Sequence, residues 1–247
     1  MIVYYAVGGG LGHVTRARRV LDALRIDDAV IVASVAADER VTGPYPLIAA
    51  PCDLRSLKAE RIIADAFPIG LRGELAGIDV PLDYVARLLR WDEYRRCVPA
   101  PLPRFGTTYV VEPITHEVES DAVVDLHLEC ARTAAAWPPH SRYWLVVHSG
   151  PEEEVRDLIA YAEDLQRIEG DTTKIVVATQ CDVENRIDAI PAYPLFADAE
   201  RIISAAGFNV MLETEPFRDK HHVVPMPRRF DDQFARAARR RPARPAA

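Results

Sequence analysis

A glycine-rich loop closed by a histidine follows the first apolar run of this 247-residue chain. The stretch MIVYYAVGGGLGHVTRA opens the chain and holds four glycines shortly before His13, at Gly8, Gly9, Gly10 and Gly12. Glycines let an anion or a sugar hydroxyl approach the backbone N–H groups at the start of a helix. The helix dipole disfavours a charged imidazole there, and a neutral His13 is a competent base near neutral pH. The alternative is a histidine that caps the helix or fills space beneath the loop.

The spacing of this loop differs from that of two well-known phosphate-binding loops. A dinucleotide-binding G-x-G-x-x-G motif that began at Gly8 would need glycine in place of His13. A P-loop would need lysine after its last glycine, whereas His13 follows Gly12. The loop therefore predicts a site that uses imidazole where those families use glycine or ammonium.

Asp65 is the second candidate for acid–base chemistry, because it ends a strand-like run and precedes a glycine-punctuated turn, GLRGE at residues 70–74. We expect that turn to lead into a helix. Turns at adjacent strands of an open parallel sheet share one crevice, which would bring Asp65 close to His13. Asp65 would then orient His13 or act as the base itself. The alternative is an aspartate that caps the helix at Gly70.

A second constellation lies at residues 203–237. Small residues lead from a short strand to Gly207, and a helix is expected to start near Asn209, so that its exposed N–H groups would suit a phosphate. Glu213, one turn into that helix, would accept two hydrogen bonds from a vicinal diol such as a ribose. A charged loop that ends at Gln233 follows the next strand. The alternative is a capped surface helix followed by a solvated connector.

The apolar patterning that must position these residues alternates between strand and helix periods. Strands are expected at residues 2–7, 29–34, 47–50, 61–64, 81–85, 143–148, 174–179, 201–203 and 222–226. One helix is expected between the first two strands, with Arg16, Arg18 and Arg19 on its polar face, and another at residues 152–167. The order strand, helix, strand is the βαβ unit of a parallel sheet.

The sequence thus predicts an α/β protein of two small Rossmann-like, parallel-sheet domains that face a central cleft. Residues 97–140 are rich in proline, and we place the junction near Glu112. The predicted domains are residues 1–112 and 113–247.

Composition and charge exclude several functional classes. The chain is 49% hydrophobic and 27% charged with a net charge of −7, which gives no broad basic face for nucleic acid. The four cysteines are scattered without metal-ligand spacing, so we expect reduced thiols and no metal site. We expect neither a leader nor a membrane span, and therefore a cytoplasmic protein. The arginines of residues 236–247 would be solvated or, alternatively, would make weak peripheral contact with anionic lipid.

The two constellations resemble motifs of GT-B glycosyltransferases. GGGLGHVTRA, residues 8–17, is similar to the Gly-Gly-x-Gly-Gly-His loop of the lipid-intermediate N-acetylglucosaminyltransferases of cell-wall synthesis (glycosyltransferase family 28), with Leu11 in place of a glycine. Residues 207–233 resemble the donor motif of that family: a glycine, a glutamate six positions on, a strand ending in proline and an acidic-glutamine loop. The two motifs occur in the order that the family has.

The resemblance implies a compact GT-B fold whose amino-terminal domain holds the acceptor and whose carboxyl-terminal domain holds a nucleotide-sugar. It places Gly9, Gly10 and Gly12 on the acceptor side, with His13 at the reacting centre. Glu213 would bind the ribose hydroxyls. The residues implied on the donor side are Ser149, Gly150, Gly207, Asn209, Glu213 and Gln233.

The function predicted in this way is transfer of a sugar from a nucleotide-diphosphate donor, with a UDP-sugar as first candidate, to a hydroxyl of a small-molecule or lipid-linked acceptor. His13 or Asp65 would deprotonate the hydroxyl, and N–H groups at helix starts would bear the charge of the leaving diphosphate. Such a direct displacement is inverting and needs neither cofactor nor metal. Two alternatives use the same fold: a sugar-nucleotide epimerase or phosphorylase, and a nucleotide-sugar-binding protein without catalysis.

Overall fold

The computed structural model describes residues 1–130 and 142–240 of the chain. The chain divides into two compact units, Met1–Glu129 with Arg228–Asp232, and Cys130–Pro227 with Gln233–Ala247. Each unit is built on one parallel sheet, of seven strands in the first unit and five in the second. The predicted class, two Rossmann-like parallel-sheet α/β domains, is confirmed.

The sheet of the first unit grows in both directions from its first strand. Its strands are β1 (Ile2–Tyr5), β2 (Ala29–Ala33), β3 (Leu47–Ala49), β4 (Arg61–Asp65), β5 (Leu82–Ala86), β6 (Phe105–Val110) and β7 (Ser120–Asp125). The order across the sheet is β3-β2-β1-β4-β5-β6-β7. The helices are α1 (Leu11–Leu24), α2 (Glu39–Thr42) and α3 (Trp91–Cys97), with a 3-10 helix at Leu54–Leu57.

The second unit repeats this plan on a smaller scale. Its strands are β8 (Tyr143–Val147), β9 (Lys174–Ala178), β10 (Arg186–Ile187), β11 (Arg201–Ser204) and β12 (His221–Val223), in the order β10-β9-β8-β11-β12. Its helices are α4 (Glu152–Glu169), α5 (Phe208–Glu213) and α6 (Gln233–Arg240), with 3-10 helices at Tyr193–Leu195 and Glu215–Lys220. Within the described residues of both units, no helix has the length and apolar character to cross a membrane.

In both sheets the strand order reverses beside the strand that starts the sheet. The reversal lies between β1 and β4 in the first sheet and between β8 and β11 in the second. At such a switch point the connections leave toward opposite faces, which opens a crevice beyond the carboxyl ends of the two strands where ligands bind. The topology therefore predicts that ligands bind at the loops that follow these four strands.

α1 forms as expected, with its apolar residues on one face of a 3.6-residue period. These residues are fully buried: Val14, Ala17, Val20 and Leu21. The prediction for the opposite face was wrong in part. Arg16 and Arg19 are 2% and 8% exposed, and Arg18 alone of the three stays partly exposed. A buried guanidinium needs a hydrogen-bonding or charged partner inside the protein.

The proline-rich region contains elements that the sequence did not predict. β6 and β7 extend the first sheet and pair in the register Phe105↔Ser120. The junction expected near Glu112 therefore falls between two strands of one sheet, and the first unit continues to Glu129.

The helix expected after residues 70–74 does not form. Gly70 and Gly73 adopt φ angles of 79° and 85°, in the left-handed region that ends helical propagation. The carboxylate of Glu74 instead accepts the N–H groups of Leu71 and Arg72 at 3.2 and 2.6 Å. The segment is a tight turn closed by its own side chain.

His116, in the connection between β6 and β7, is a buried titratable group of the first unit. Its ring stacks on Trp91 with centroids 4.2 Å apart, and its Nε2 lies 3.0 Å from the hydroxyl of Tyr84. Burial lowers the pKa of His116 to about 4.

We expect the stability of the protein to fall as the pH falls from 6.5 to 4, because the unfolded chain binds a proton at His116 in that window and the folded chain does not. Between pH 7 and pH 5, the free energy of unfolding of His116→Gln should fall by about 1–2 kcal/mol less than that of the parent, with allowance for screening by water. Urea unfolding at the two pH values measures this difference. His127→Gln, at an exposed histidine, is the control. An unchanged pH dependence in H116Q would contradict the buried neutral state.

Candidate active site

The first switch point brings the two predicted acid–base residues together. His13 lies in the first turn of α1, which follows β1, and Asp65 is the last residue of β4. The register Tyr5↔Ala64 places Asp65 one residue beyond the end of β1. Nδ1 of His13 is 2.6 Å from Oδ2 of Asp65, so the expected proximity is observed.

Asp65 is held in complete burial, with a side-chain exposure of 0%. Arg16 contacts it in a bidentate manner, with Nε 2.7 Å from Oδ1 and Nη2 2.5 Å from Oδ2. The hydroxyl of Tyr4 donates to Oδ1 at 3.0 Å. Together with His13, these donors occupy both oxygens of the carboxylate. Asp65 is therefore placed to orient His13 and not to take a proton from a ligand.

The surroundings set opposite charge states for the two groups. Burial alone would raise the pKa of the Asp65 carboxyl, but the charge of Arg16 and the hydrogen bonds from His13 and Arg16 hold this pKa well below its ordinary range. Burial lowers the pKa of His13 and outweighs the opposing hydrogen bond and charge of Asp65, and the charge of Arg16 lowers it further. An ionised carboxylate beside a neutral imidazole results. The sequence attributed the neutral form to the helix dipole, whereas burial is its main cause.

These charge states fix the tautomer of His13. An ionised carboxylate only accepts hydrogen bonds, so Nδ1 carries a proton and Nε2 keeps its lone pair. Arg16 Nη2, 3.2 Å from the same Nδ1, is then a close approach and not a hydrogen bond. Nε2 faces the glycine loop, because a Cβ on Gly8 would lie 2.1 Å from it. The arrangement is that of a general base oriented by a carboxylate.

The turn after β4 shows that Asp65 does not cap a helix. Ala66 has a φ of 63°, a left-handed conformation that is unfavourable for a residue with a Cβ. Such residues cost on the order of 1–3 kcal/mol and cluster at functional sites, where the surroundings hold them. The next residue, Phe67, lies against the ring of His13 with centroids 5.5 Å apart.

The glycine loop leaves open space beside its backbone. Among residues 1–130 and 142–240, and apart from the two chain neighbours of each glycine, no atom lies within 4 Å of the position that a Cβ would take on Gly9 or Gly10. Gly10 is the N-cap residue of α1 and provides no side-chain cap, and Gly12 is the second residue of the helix. Packing therefore does not require glycine at positions 9 and 10, and a ligand has room to approach the loop there.

The second switch point collects residues that the resemblance assigns to the donor. Ser149 and Gly150 follow β8, Gly207 is the N-cap residue of α5 after β11, and Asn209 lies in the first turn of α5. A Cβ on Gly207 would meet only Val210, at an ordinary 3.8 Å. Both loops are thus at the edge where the topology predicts a ligand.

A second histidine–carboxylate pair, which the sequence did not predict, lies beside Gly150. Nε2 of His148 is 2.7 Å from Oε2 of Glu154, and a Cβ on Gly150 would lie 2.3 Å from the same nitrogen. The first turn of α4 is acidic, with Glu152, Glu153 and Glu154. These charges suit the helix dipole but repel a phosphate. The loop after β11, where the first turn of α5 has no acidic residue, is the better phosphate site.

Two residues assigned to the donor are more buried than the sequence suggested. Glu213 ends α5 and is 8% exposed, and Gln233 begins α6 and is 4% exposed. Oε1 of Gln233 accepts the N–H groups of Ala206 and Met226 at 3.1 and 3.0 Å. Gln233, which the resemblance assigned to the donor side, therefore fixes the backbone of the loop after β11 through its side-chain oxygen.

Two arginines of α6 bond to the second unit, one to the loop after β11 and one to β12. Arg236 is 5% exposed and donates to the carbonyl oxygen of Ala206 at 2.9 Å, and Arg240 donates to Nδ1 of His221 at 2.7 Å. These residues were expected in a solvated or lipid-binding tail, but they pack within the second unit. The other arginines of that segment include two that lie outside the described residues, Arg241 and Arg244.

Arg16 is the site residue that the sequence analysis missed. It follows His13 by three residues, a spacing that places both on one side of α1. A buried carboxylate requires a cation or several donors. These two facts together would have singled out Arg16.

No family model matches the chain, and no curated protein sequence matches it. Several solved structures have the same fold. The glycosyltransferase SsfS6 of Streptomyces sp. SF2575 has a TM-score of 0.58 and 13% identity, over 97% of this chain and 84% of that one. Its complex with thymidine diphosphate has a TM-score of 0.60 and 13% identity, over 92% of this chain and 82% of that one. The glycosyltransferase SnogD of Streptomyces nogalater has a TM-score of 0.53 and 13% identity, over 91% of this chain and 81% of that one. At these identities the likeness establishes the GT-B fold.

Gly8→Ala tests the placement of Nε2. The added Cβ would lie 2.1 Å from Nε2, and the ring has little freedom because Asp65 holds Nδ1. We expect a loss of about 1–3 kcal/mol in the free energy of unfolding, the usual cost of overpacking. Gly9→Ala, at the adjacent open position, is the matched control and should change it by less than about 0.5 kcal/mol. Equal urea-denaturation midpoints for the two variants would show that His13 does not lie against Gly8.

Proposed function

We propose that the chain is a glycosyltransferase that moves a sugar from a nucleoside-diphosphate donor to a hydroxyl of an acceptor. The observation that carries this proposal is the neutral His13, whose Nε2 faces the glycine loop while buried Asp65 holds Nδ1 at 2.6 Å. A positioned base of this kind suits removal of a proton from a hydroxyl near neutral pH. The fold shared with SsfS6 and SnogD supports this reaction class.

In the proposed step, the acceptor hydroxyl gives its proton to Nε2 of His13 as its oxygen attacks the anomeric carbon of the donor sugar. The new carbon–oxygen bond forms, the bond from the anomeric carbon to the phosphate oxygen breaks, and the electron pair leaves with the nucleoside diphosphate. Asp65 stabilises the imidazolium and is thus a positioning residue. A single displacement inverts the anomeric configuration, and the proposal includes no metal ion.

The donor is assigned to the second unit, with its diphosphate at the loop around Gly207 and Asn209. The first turn of α5, which has no acidic residue, supports this placement. A UDP-sugar is the first candidate, as the resemblance to the family 28 lipid-intermediate enzymes implies. A thymidine-diphosphate sugar is the alternative, because SsfS6 was solved with thymidine diphosphate.

The acceptor is proposed to be a small molecule or a lipid-linked one. Weak contact of the arginine-rich segment from residue 236 with an anionic membrane, through arginines other than Arg236 and Arg240, which bind within the second unit, belongs to the lipid-linked case. Co-sedimentation with phosphatidylglycerol vesicles tests it. Equal recovery with neutral phosphatidylcholine vesicles would exclude that contact.

Transfer assays with UDP- and dTDP-sugars against a panel of hydroxyl acceptors test the function, with products identified by mass spectrometry. His13→Ala should lower turnover by about 100- to 10,000-fold, the contribution of a positioned base. Nucleotide affinity should stay unchanged, because His13 lies in the first unit, and EDTA should have no effect. His127→Ala, at an exposed histidine, is the control. Turnover of His13→Ala within a few-fold of the parent would refute the proposed base.

The same assay separates the alternative functions. An isomerised nucleotide-sugar formed without acceptor would identify an epimerase, and a sugar phosphate formed with inorganic phosphate would identify a phosphorylase. Tight nucleotide binding without product would identify a binding protein.

Glu213→Ala tests the proposed ribose contact. Loss of charge-assisted hydrogen bonds to the 2′ and 3′ hydroxyls should weaken UDP binding by about 10- to 150-fold. The variant should bind 2′,3′-dideoxyuridine diphosphate as the parent does, measured by calorimetry. Glu213→Gln keeps the side-chain volume and should lose less, and exposed Glu215→Ala is the control. Equal affinity of the parent for the two nucleotides would remove Glu213 from the donor site.

A further inference from the structure

A pocket of about 420 Å³ lies entirely within the first unit, among the loops that follow β1, β2, β3 and β4. This volume is in the range of about 300–1,000 Å³ that holds drug-sized ligands. Its walls are largely apolar and include Val7, Leu54, Leu71 and Ile78. The pocket therefore suits a compact apolar molecule.

The two carboxylates at this pocket are engaged by the protein itself. Glu74 accepts from the hydroxyl of Tyr5 at 2.5 Å and from two backbone N–H groups of its own turn. Asp53 accepts from the N–H of Arg55 and caps the 3-10 helix. Neutral donors thus hold both carboxylates, and within the described residues neither forms an ion pair with Arg55 or Arg72.

Two guanidinium groups at the same pocket are uncommitted. Arg55 and Arg72 line it and are exposed, and neither side chain makes a hydrogen bond or ion pair within residues 1–130 and 142–240. Guanidinium groups bind carboxylates with planar, bidentate geometry. Apolar walls with two free arginines at their edge match a molecule that is apolar along most of its length and acidic at one end.

The pocket is connected to the proposed base through two residues, Ser34 and Gly8. Ser34 lines the pocket, and its hydroxyl donates to the carbonyl oxygen of Gly8 at 3.1 Å and accepts the N–H of Gly8 at 3.2 Å. Gly8 in turn lies against Nε2 of His13. A molecule in this pocket therefore borders the segment of backbone that faces the base.

We propose that this pocket holds the acceptor, and that the acceptor is a compact apolar molecule with a carboxylate at one end that Arg55 and Arg72 bind, and with its reacting hydroxyl elsewhere on the molecule. The identification of the occupant as acceptor rests on the proposed glycosyltransferase function. The chemistry of the pocket rests only on its own residues.

Binding of two fluorescent probes tests the pocket without any transfer reaction. The apolar anion 8-anilinonaphthalene-1-sulfonate should bind, and Arg55→Gln and Arg72→Gln should each weaken it by about 2- to 10-fold. In the same variants, the affinity for the neutral analogue N-phenyl-1-naphthylamine should change by less than about 2-fold, because this probe lacks the charge. Arg55→Lys and Arg72→Lys should restore most of the anion affinity. Arg25→Gln, at an exposed arginine outside the pocket, is the matched control.

Protection of a cysteine locates the bound probe. Cys52 lines the pocket, so the anion should slow its alkylation by N-ethylmaleimide, whereas Cys97 provides an internal reference outside the pocket. The proposal would be overturned if neither Arg55→Gln nor Arg72→Gln changed the affinity for the anion, or if the bound anion did not protect Cys52 from alkylation.

Transfer assays on a panel of aromatic hydroxy acids and their methyl esters complete the test. The acids should be the better acceptors, with a higher KM for the acids in the Arg→Gln variants and an unchanged KM for the esters. Preference for the esters would overturn the acid assignment. If the anion binds and protects Cys52 but no sugar is transferred with any donor, the proposed function fails and the pocket chemistry stands.

Discussion

A carboxylate without access to water has to be neutralised inside the protein, and at Asp65 this requirement shapes the whole first switch point. Two of its partners, His13 and Arg16, come from α1, and Tyr4 comes from β1. Removal of one partner from a buried ion pair typically costs about 3–5 kcal/mol. The position of α1 along the sheet is therefore tied to the same contacts that place the proton of neutral His13 on Nδ1. Stability and the proposed chemistry depend on one set of hydrogen bonds.

The switch point of the second unit includes the loop after β11. That loop is fixed through its backbone, because Gln233 and Arg236 bind the N–H and the carbonyl oxygen of Ala206. Because these bonds are made to the backbone, the loop does not need large side chains to hold it in place, and small residues such as Gly207 can occupy it. Small side chains at a helix start keep N–H groups accessible to an anion.

Hydrophobic periodicity predicted the parallel sheets and the loops at both switch points, because short buried strands and an amphipathic helix leave a strong local signal. It missed β6 and β7, since prolines flank them and β7 is largely exposed. Arg16 was assigned to a polar face because its partner lies 49 residues away, and pairings of that range are not visible in one sequence. The sequence did not predict the burial of Gln233 for the same reason. The roles assigned to Glu213 and the donor loops remain predictions.

The segment Arg228–Asp232 belongs to the first unit, although the chain reaches it only after the strands of the second. There, Asp231 accepts from the buried guanidinium of Arg87 at 2.6 Å, and Phe230 meets Tyr94 edge-on with ring centroids 5.5 Å apart. A fragment cut after Glu129 would lose this carboxylate and uncover the aromatic ring. The two halves are therefore not interchangeable modules. A chimera that takes its second half from another protein would import the five-residue segment that contacts Arg87 and Tyr94, and its first half would keep these contacts only if the imported residues matched them.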